Sequence, residues 1–165
     1  MSRLLPPYLI PTERRPSAAA FVSGIRTDVD GWRSQGYPGV TETTRRLLQF
    51  WFETDHKIKG DEWHYFFCQR EAIETLIYLY EVRRLRRLSD LASTYAPRMA
   101  VRPAEDHFAR YVVKMATGSG KTKVMSLAIV WSYFNALHHP EVGLPPNFLL
   151  IAPDRKSTRL NSSHG

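Results

Sequence analysis

Residues 114–123 decide the fold, and they read Lys-Met-Ala-Thr-Gly-Ser-Gly-Lys-Thr-Lys. Glycines at 118 and 120 allow the backbone to turn tightly, so that its N–H groups can converge on an oxyanion. Lys121 and Thr122 follow directly, where a helix is expected to begin and to add unpaired N–H groups of its own. In such a loop the lysine reaches the β- and γ-phosphates, and the threonine hydroxyl completes the shell of a Mg²⁺ ion. The stretch therefore predicts a loop that binds a nucleoside triphosphate with Mg²⁺.

The sequence on both sides of this loop supports the prediction. Residues 111–115 form a short β-prone run, residues 122–137 are typical of a helix with apolar side chains on nearly every side, and residues 148–152 are a second apolar run. Strand, glycine loop, helix and strand make a βαβ unit, which predicts an α/β fold with a parallel sheet. The usual loop pattern has Gly or Ala at the position of Met115, so a Gly-Ser-rich turn without a ligand is the alternative. The flanking strand and helix argue against that alternative.

Upstream of the loop, the sequence predicts a helical region. Proline-rich residues 1–20 suggest an extended arm. Apolar spacing of three and four residues then predicts three helices, at 21–33, 41–53 and 69–88. An irregular connection is expected at 89–108. Thr41 is the expected N-cap of the second helix.

Composition places the chain among soluble intracellular proteins, so we expect a cytoplasmic location. Of the 165 residues, 43% are hydrophobic, and Cys68, the sole cysteine, is expected in the core. The longest apolar run is about half of a membrane span, and prolines interrupt the short apolar run at the N-terminus. The net charge of +7 is compatible with a polyanionic partner.

Several stretches of the chain resemble one family. Residues 114–123 resemble motif I of superfamily 2 helicases, especially the Res subunits of type III restriction enzymes and related DEAD/DEAH-box proteins, in which Met at the departing position is familiar. Residues 66–73 resemble the glutamine motif of that group, with Gln69 as the glutamine. Residues 151–153 resemble the start of motif Ia, and residues 31–51 resemble the N-terminal extension of a restriction-associated subgroup.

The resemblance implies an ATP-dependent DNA helicase or translocase subunit of a restriction endonuclease. ATP and Mg²⁺ would be its cofactors, double-stranded DNA its partner, and a modification methylase subunit a possible second partner. Gln69 would read the adenine edge, Lys121 would be the catalytic residue and Thr122 would bind Mg²⁺. The full set of residues implied to hold ATP is Gln69, Thr117, Gly118, Ser119, Gly120, Lys121 and Thr122. The implied division is an arm (1–20), a helical region (21–108), the start of a RecA-like P-loop domain (109–153) and a tail (154–165).

The sequence departs from the family pattern in three ways. Gln69 and Lys121 are 52 positions apart, and this spacing between the glutamine motif and motif I is longer than is usual in the family. Residues 83–108 therefore look like an insertion. No Asp-Glu-x-His box follows, so we expect an N-terminal fragment that binds ATP weakly and does not hydrolyse it. Residues 154–164 have no periodic apolar face and resemble a translated sequencing adapter, so we expect the tail to be an artefact.

Two other functions stay open on the sequence alone. The chain could be a P-loop kinase or regulatory nucleotide-binding protein without DNA activity, or a truncated product without activity. Single residues also have alternatives: Phe66 or Phe67 stacks on adenine or lies in the core, and the arginines at 83–87 follow a DNA backbone or form a solvated helix end. His138 and His139 are expected to favour a helix C-terminus rather than to bind a metal.

Overall fold

The computed structural model describes residues 8–11, 14, 16–101 and 109–151. Five helices and one hairpin make up the regular structure of these residues. In chain order they are α1 (Val22–Ser34), α2 (Glu42–Phe52), β1 (His56–Ile58), β2 (Asp61–Trp63), α3 (Phe67–Ile77), α4 (Leu88–Tyr95) and α5 (Lys121–His138). A π-helical turn, Tyr78–Val82, continues α3, and a 3₁₀ turn, Pro140–Val142, follows α5.

The helices before the loop form where the apolar spacing predicts them. Helices α1 and α2 match the predicted spans to within one residue. The Thr41 hydroxyl accepts a hydrogen bond from the Thr44 N–H at 3.1 Å, which confirms the predicted N-cap. Helix α3 packs against α1 and α5, and α2 packs against α5. Leu48, Ile73 and Ile77 lie at the centre of the core with no exposed surface.

The third helix is shorter than predicted, and a helix occupies part of the expected connection. The α3 helix ends in the π-helical turn, and Arg84 then adopts a φ of 54°, which a continuing right-handed helix does not allow. Helix α4 begins at Leu88, where the Asp90 carboxylate accepts from the Arg87 N–H at 3.2 Å. The prediction of one helix over 69–88 and an irregular connection over 89–108 is therefore wrong in these parts.

The two apolar runs at 111–115 and 148–151 are not strands, and they do not pair with each other. Val112 is 94% exposed and Ile151 is 87% exposed. A strand is stable only as a member of a sheet, so a β-prone run without a paired neighbour leaves its backbone to solvent. Within the described residues the only sheet is the antiparallel hairpin β1–β2, in which His56 pairs with Trp63. The predicted parallel sheet is not present there.

Helix α5 is buried on one side only. Val124, Leu127 and Trp131 face the core, whereas Met125 and Leu137 are 44% and 59% exposed. The apolar side chains on nearly every side of this helix predict burial on more than one face, and within the described part of the chain that prediction is wrong. The exposed apolar face is the side that a sheet would cover in an α/β layer.

Two buried carboxylates connect the helices. Glu74 of α3 has no exposed surface and accepts from Arg33 Nε at 2.8 Å, from the Tyr37 hydroxyl at 2.6 Å and from Arg70 Nε at 2.8 Å. Burial lowers the pKa of Arg33, but the Glu74 carboxylate more than reverses this effect and holds that pKa above its ordinary value. The Glu74 contacts therefore fasten the α1–α2 connection to α3.

Glu81, in the π-helical turn, makes the second connection. Its carboxylate accepts from the Thr44 hydroxyl at 2.7 Å and from Trp131 Nε1 at 3.0 Å. Asn135 of α5, fully buried, donates to the Thr44 hydroxyl at 2.9 Å and accepts from the Thr41 hydroxyl at 2.6 Å. These bonds hold α5, the helix that follows the glycine loop, against α2.

One buried and one half-buried tyrosine, Tyr37 and Tyr95, predict a loss of stability in alkali. Burial and the neighbouring Glu74 carboxylate raise the pKa of Tyr37, and burial and Asp28 raise the pKa of Tyr95. In the unfolded chain these phenols ionise near pH 10, so above that pH the unfolded state binds fewer protons than the folded state. We expect the free energy of unfolding to fall above about pH 10, by up to about 1.4 kcal/mol per pH unit for Tyr37 and by less for the more exposed Tyr95. Urea unfolding from pH 8 to 11 measures this slope, and Tyr37→Phe should reduce it; an equal slope in both proteins would contradict the assignment to Tyr37.

Candidate phosphate-binding loop

The glycine loop of residues 115–120 lies at the start of α5, as the sequence predicts. Gly118 and Gly120 have φ values of 79° and 81°, in the left-handed region that glycine adopts without strain. Helix α5 begins at Lys121, directly after the loop. The loop and the first residues of α5 are partly or fully exposed, so an anion can reach them from solvent.

Unpaired backbone donors are concentrated where the loop joins the helix. The N–H groups of Gly120, Lys121 and Thr122 have no hydrogen-bond acceptor among the described residues. The first N–H groups of a helix lack intrahelical acceptors, and the helix dipole adds a partial positive charge at the same end. This end of α5 therefore offers converging donors to a negatively charged group.

Lys121 lies over the loop. Its ammonium donates to the carbonyl oxygens of Met115 at 3.1 Å and Ala116 at 2.9 Å. Both acceptors are neutral, and a phosphate oxygen would form a shorter and stronger bond with the same ammonium. The side chain is therefore placed to exchange the two carbonyls for a phosphate.

Gln69 contacts the loop at Ser119, which is 50 residues further along the chain. Its Nε2 donates to the Ser119 carbonyl at 2.9 Å, and its Oε1 accepts from the Phe66 N–H at 3.1 Å. The residue is only 6% exposed. The structure thus brings the glutamine of residues 66–73 against the glycine loop.

The space around Gly120 explains why this position holds glycine. A Cβ built on Gly120 would lie 2.3 Å from Gln69 Nε2, a distance that real Cβ atoms do not adopt. Any other residue would push the glutamine amide away from the loop and would also be strained at this φ. Gly118 has open space around it, so its positive φ alone favours glycine there.

The predicted site residues lie in the loop or against it. Gln69 bonds to Ser119 and lies against Gly120, and Lys121 bonds to the carbonyls of two other loop residues. Thr122 is exposed at the first turn of α5. Thr117 and Gly118 lie in the turn of the loop. The role of each in binding ATP stays a prediction.

The structure decides between the two alternatives for one of the two phenylalanines near the site. Phe67 is 7% exposed, with the Arg14 and Arg33 guanidinium groups 4.9 and 5.5 Å from its ring centroid, so its ring is in the core and not free to stack on a base. Phe66 is 39% exposed. Trp63, which the sequence did not single out, has the Lys123 ammonium 5.3 Å from its ring centroid, so the end of the hairpin lies beside the first turn of α5.

Two further residues, Cys68 and Arg86, have surroundings that bear on the sequence predictions. Cys68 is exposed, so its expected place in the core is wrong, although partial burial raises the pKa of its thiol. Arg86 donates to the Val142 carbonyl and lies over the Tyr80 ring at 4.1 Å, which is a structural role.

The residues that the structure describes contain no group of three or more His, Cys, Asp or Glu side chains placed to hold a metal ion. In the same residues, no helix combines the length and the apolar character needed to cross a membrane.

Two glycines of positive φ, a helix that begins directly after them and a lysine at the junction are parts that a P-loop requires. The family model of the type III restriction enzyme, res subunit, matches residues 63–158, which is more than half of the chain. The chain therefore belongs to this family, whose domain is a superfamily 2 helicase domain and suggests a RecA-like P-loop fold. The curated proteins and the solved structures compared with the chain gave no match.

The family match includes both Gln69 and the loop, and it extends to residues 152–158. These last residues lie outside the described residues. They include the end of the stretch that resembles motif Ia and the start of the predicted artefactual tail. The tail therefore stays a prediction.

Sequence reasoning missed the residues that hold this site in place. Glu74, Glu81 and Asn135 are buried polar residues on α3, the π-helical turn and α5. One signal was available, because Glu74 lies next to Ile73 and three residues before Ile77 on the apolar stripe. A charge within an apolar stripe indicates a buried, paired group.

Proposed function

We propose that this chain supplies the ATP-binding loop of an ATP-dependent DNA helicase or translocase subunit of a restriction endonuclease. The observation that carries the proposal is the set of unpaired N–H groups at Gly120, Lys121 and Thr122, next to a loop whose carbonyls the Lys121 ammonium contacts and inside the family match. These donors and this cation complement the negative charge of a triphosphate. The family match favours this function over a P-loop kinase or a regulatory nucleotide-binding protein.

Each residue of the proposed site has a separate task. The loop N–H groups bind the phosphate oxygens, and Lys121 neutralises part of their charge. Gln69 lies beside the loop, with its amide held between Phe66 and Ser119, and the adenine-reading role that the resemblance implies for it stays a prediction. Mg²⁺, when bound, draws charge from the phosphate oxygens, and the exposed Thr122 hydroxyl is the residue that would bind the ion. Double-stranded DNA and a modification methylase subunit are the partners that the family suggests, and we propose them for the protein to which this loop belongs.

Removal of Mg²⁺ tests the proposed role of Thr122. We expect Mg²⁺ to strengthen ATP binding, and we expect Thr122→Val to remove most of that gain, because the valine has the same shape but no oxygen for the ion. Calorimetric titration of ATP with Mg²⁺ and with a chelator measures both affinities.

Ser126→Ala is the matched control, since it removes a hydroxyl from the same exposed side of α5, one turn further from the loop. An equal Mg²⁺ effect in the wild type and in Thr122→Val would show that Thr122 does not bind the ion. Absence of ATP binding by the wild type would overturn the proposed function itself.

A further inference from the structure

We propose that Gln69 is a positioning residue for the glycine loop, and that it supports triphosphate binding whichever base the nucleotide carries. This inference rests on the proposed function. It differs from the adenine-reading role, which would make Gln69 matter for ATP and not for other triphosphates.

The Gln69 side chain is fixed at both of its polar atoms. Its Oε1 accepts from the Phe66 N–H at 3.1 Å, an N-terminal cap that folds the side chain back along α3. Its Nε2 donates to the Ser119 carbonyl at 2.9 Å. With 6% of its surface exposed, the amide is a buried bridge between α3 and the loop.

The bond to Ser119 sets the direction of a phosphate donor. The peptide group that joins Ser119 to Gly120 is trans and planar, so its N–H points opposite to its C=O. Because Gln69 holds the Ser119 carbonyl toward itself, the Gly120 N–H is turned away from Gln69 and has no acceptor among the described residues. Gly120 is one of the residues whose N–H we propose to bind phosphate.

The close approach at Gly120 makes the same contact rigid. Gln69 Nε2 would be 2.3 Å from a Cβ at this position, so the amide lies directly against the loop backbone. Glu74, on the same helix as Gln69, fastens α3 to α1 and to Tyr37. The loop is therefore held by an amide whose own helix is anchored in the core.

Binding of three ligands to the full 165-residue chain separates the two roles of Gln69. The ligands are ATP, GTP and inorganic triphosphate, each with Mg²⁺, and the variant is Gln69→Met, which is neutral and of similar length but cannot donate to Ser119. We expect all three dissociation constants to rise by the same factor, about tenfold, as for the loss of a hydrogen bond to a buried partner. Gln49→Met, at an exposed glutamine of α2, should leave all three unchanged.

Each other outcome has a definite meaning. A loss confined to ATP would show that Gln69 reads the base, and it would overturn the inference while leaving the proposed function intact. A lower number of binding sites per chain at unchanged affinity would also overturn the inference. In that case the folded molecules of the variant would bind as the wild type does, and the remaining molecules would be unfolded. If Gln69→Met does not fold, Gln69→Asn replaces it, since its amide is one methylene too short to reach both partners. Failure of the wild type to bind any of the three ligands would overturn the proposed function as well.

Discussion

Replacement of Glu74 by alanine is expected to cost about 3–5 kcal/mol of the free energy of unfolding, the range for breaking a buried ion pair on one side. Glu74 has no exposed surface, and its partner Arg33 has a side chain that is only 8% exposed. Without the carboxylate, the guanidinium groups of Arg33 and Arg70 lose a buried acceptor, and so does the Tyr37 hydroxyl. Arg33 keeps its contact with Asp30, which offsets only part of the loss.

Glu42→Ala is the matched control for this substitution. Glu42 also pairs with an arginine on its own helix, but the side chains of Arg46 and Glu42 are 76% and 59% exposed. Such a pair contributes about 0.3–0.5 kcal/mol. Urea unfolding measures both variants, and the shift in midpoint at unchanged slope gives the change in stability. A cost for Glu74→Ala no larger than that for Glu42→Ala would refute the view that Glu74 anchors α3.

Local pattern was sufficient for most of the helices and for the loop. Helices α1, α2 and α5 show their apolar faces within a few turns of sequence, and Thr41 marks a helix start by its own hydroxyl. The glycine loop is equally local, because its conformation depends on Gly118 and Gly120 and on the helix that directly follows. These features could be predicted because neighbouring residues determine them.

Features that depend on distant partners could not be predicted in the same way. Residues 111–115 have the composition of a strand, but composition does not show whether a neighbour is present to pair with them. The eight-residue α4 is too short to show a clear period. The contacts of Glu81 and Asn135 join positions far apart in sequence, at Thr44 and Trp131, and no periodic pattern reports such contacts.

Lys121→Ala is expected to weaken the binding of ATP with Mg²⁺ by roughly tenfold to a hundredfold. The substitution removes the ammonium that lies 2.9 Å from the Ala116 carbonyl, over the loop. Hydrogen bonds to charged groups contribute about 1.5–3 kcal/mol, which gives the expected range. Because Lys121 is exposed, the substitution should leave the fold intact, and a thermal unfolding curve checks this.

Lys123→Ala provides the comparison that makes the result specific. It removes the same charge from the same turn of α5, but its ammonium lies over the Trp63 ring at 5.3 Å and makes no contact with the loop carbonyls. Calorimetric titration of the full chain with ATP and Mg²⁺ is therefore the most direct measurement of the central claim, that the glycine loop binds a triphosphate. The account predicts saturable binding that Lys121→Ala reduces at least tenfold and that Lys123→Ala changes less than threefold. Equal binding by the wild type and Lys121→Ala would contradict it.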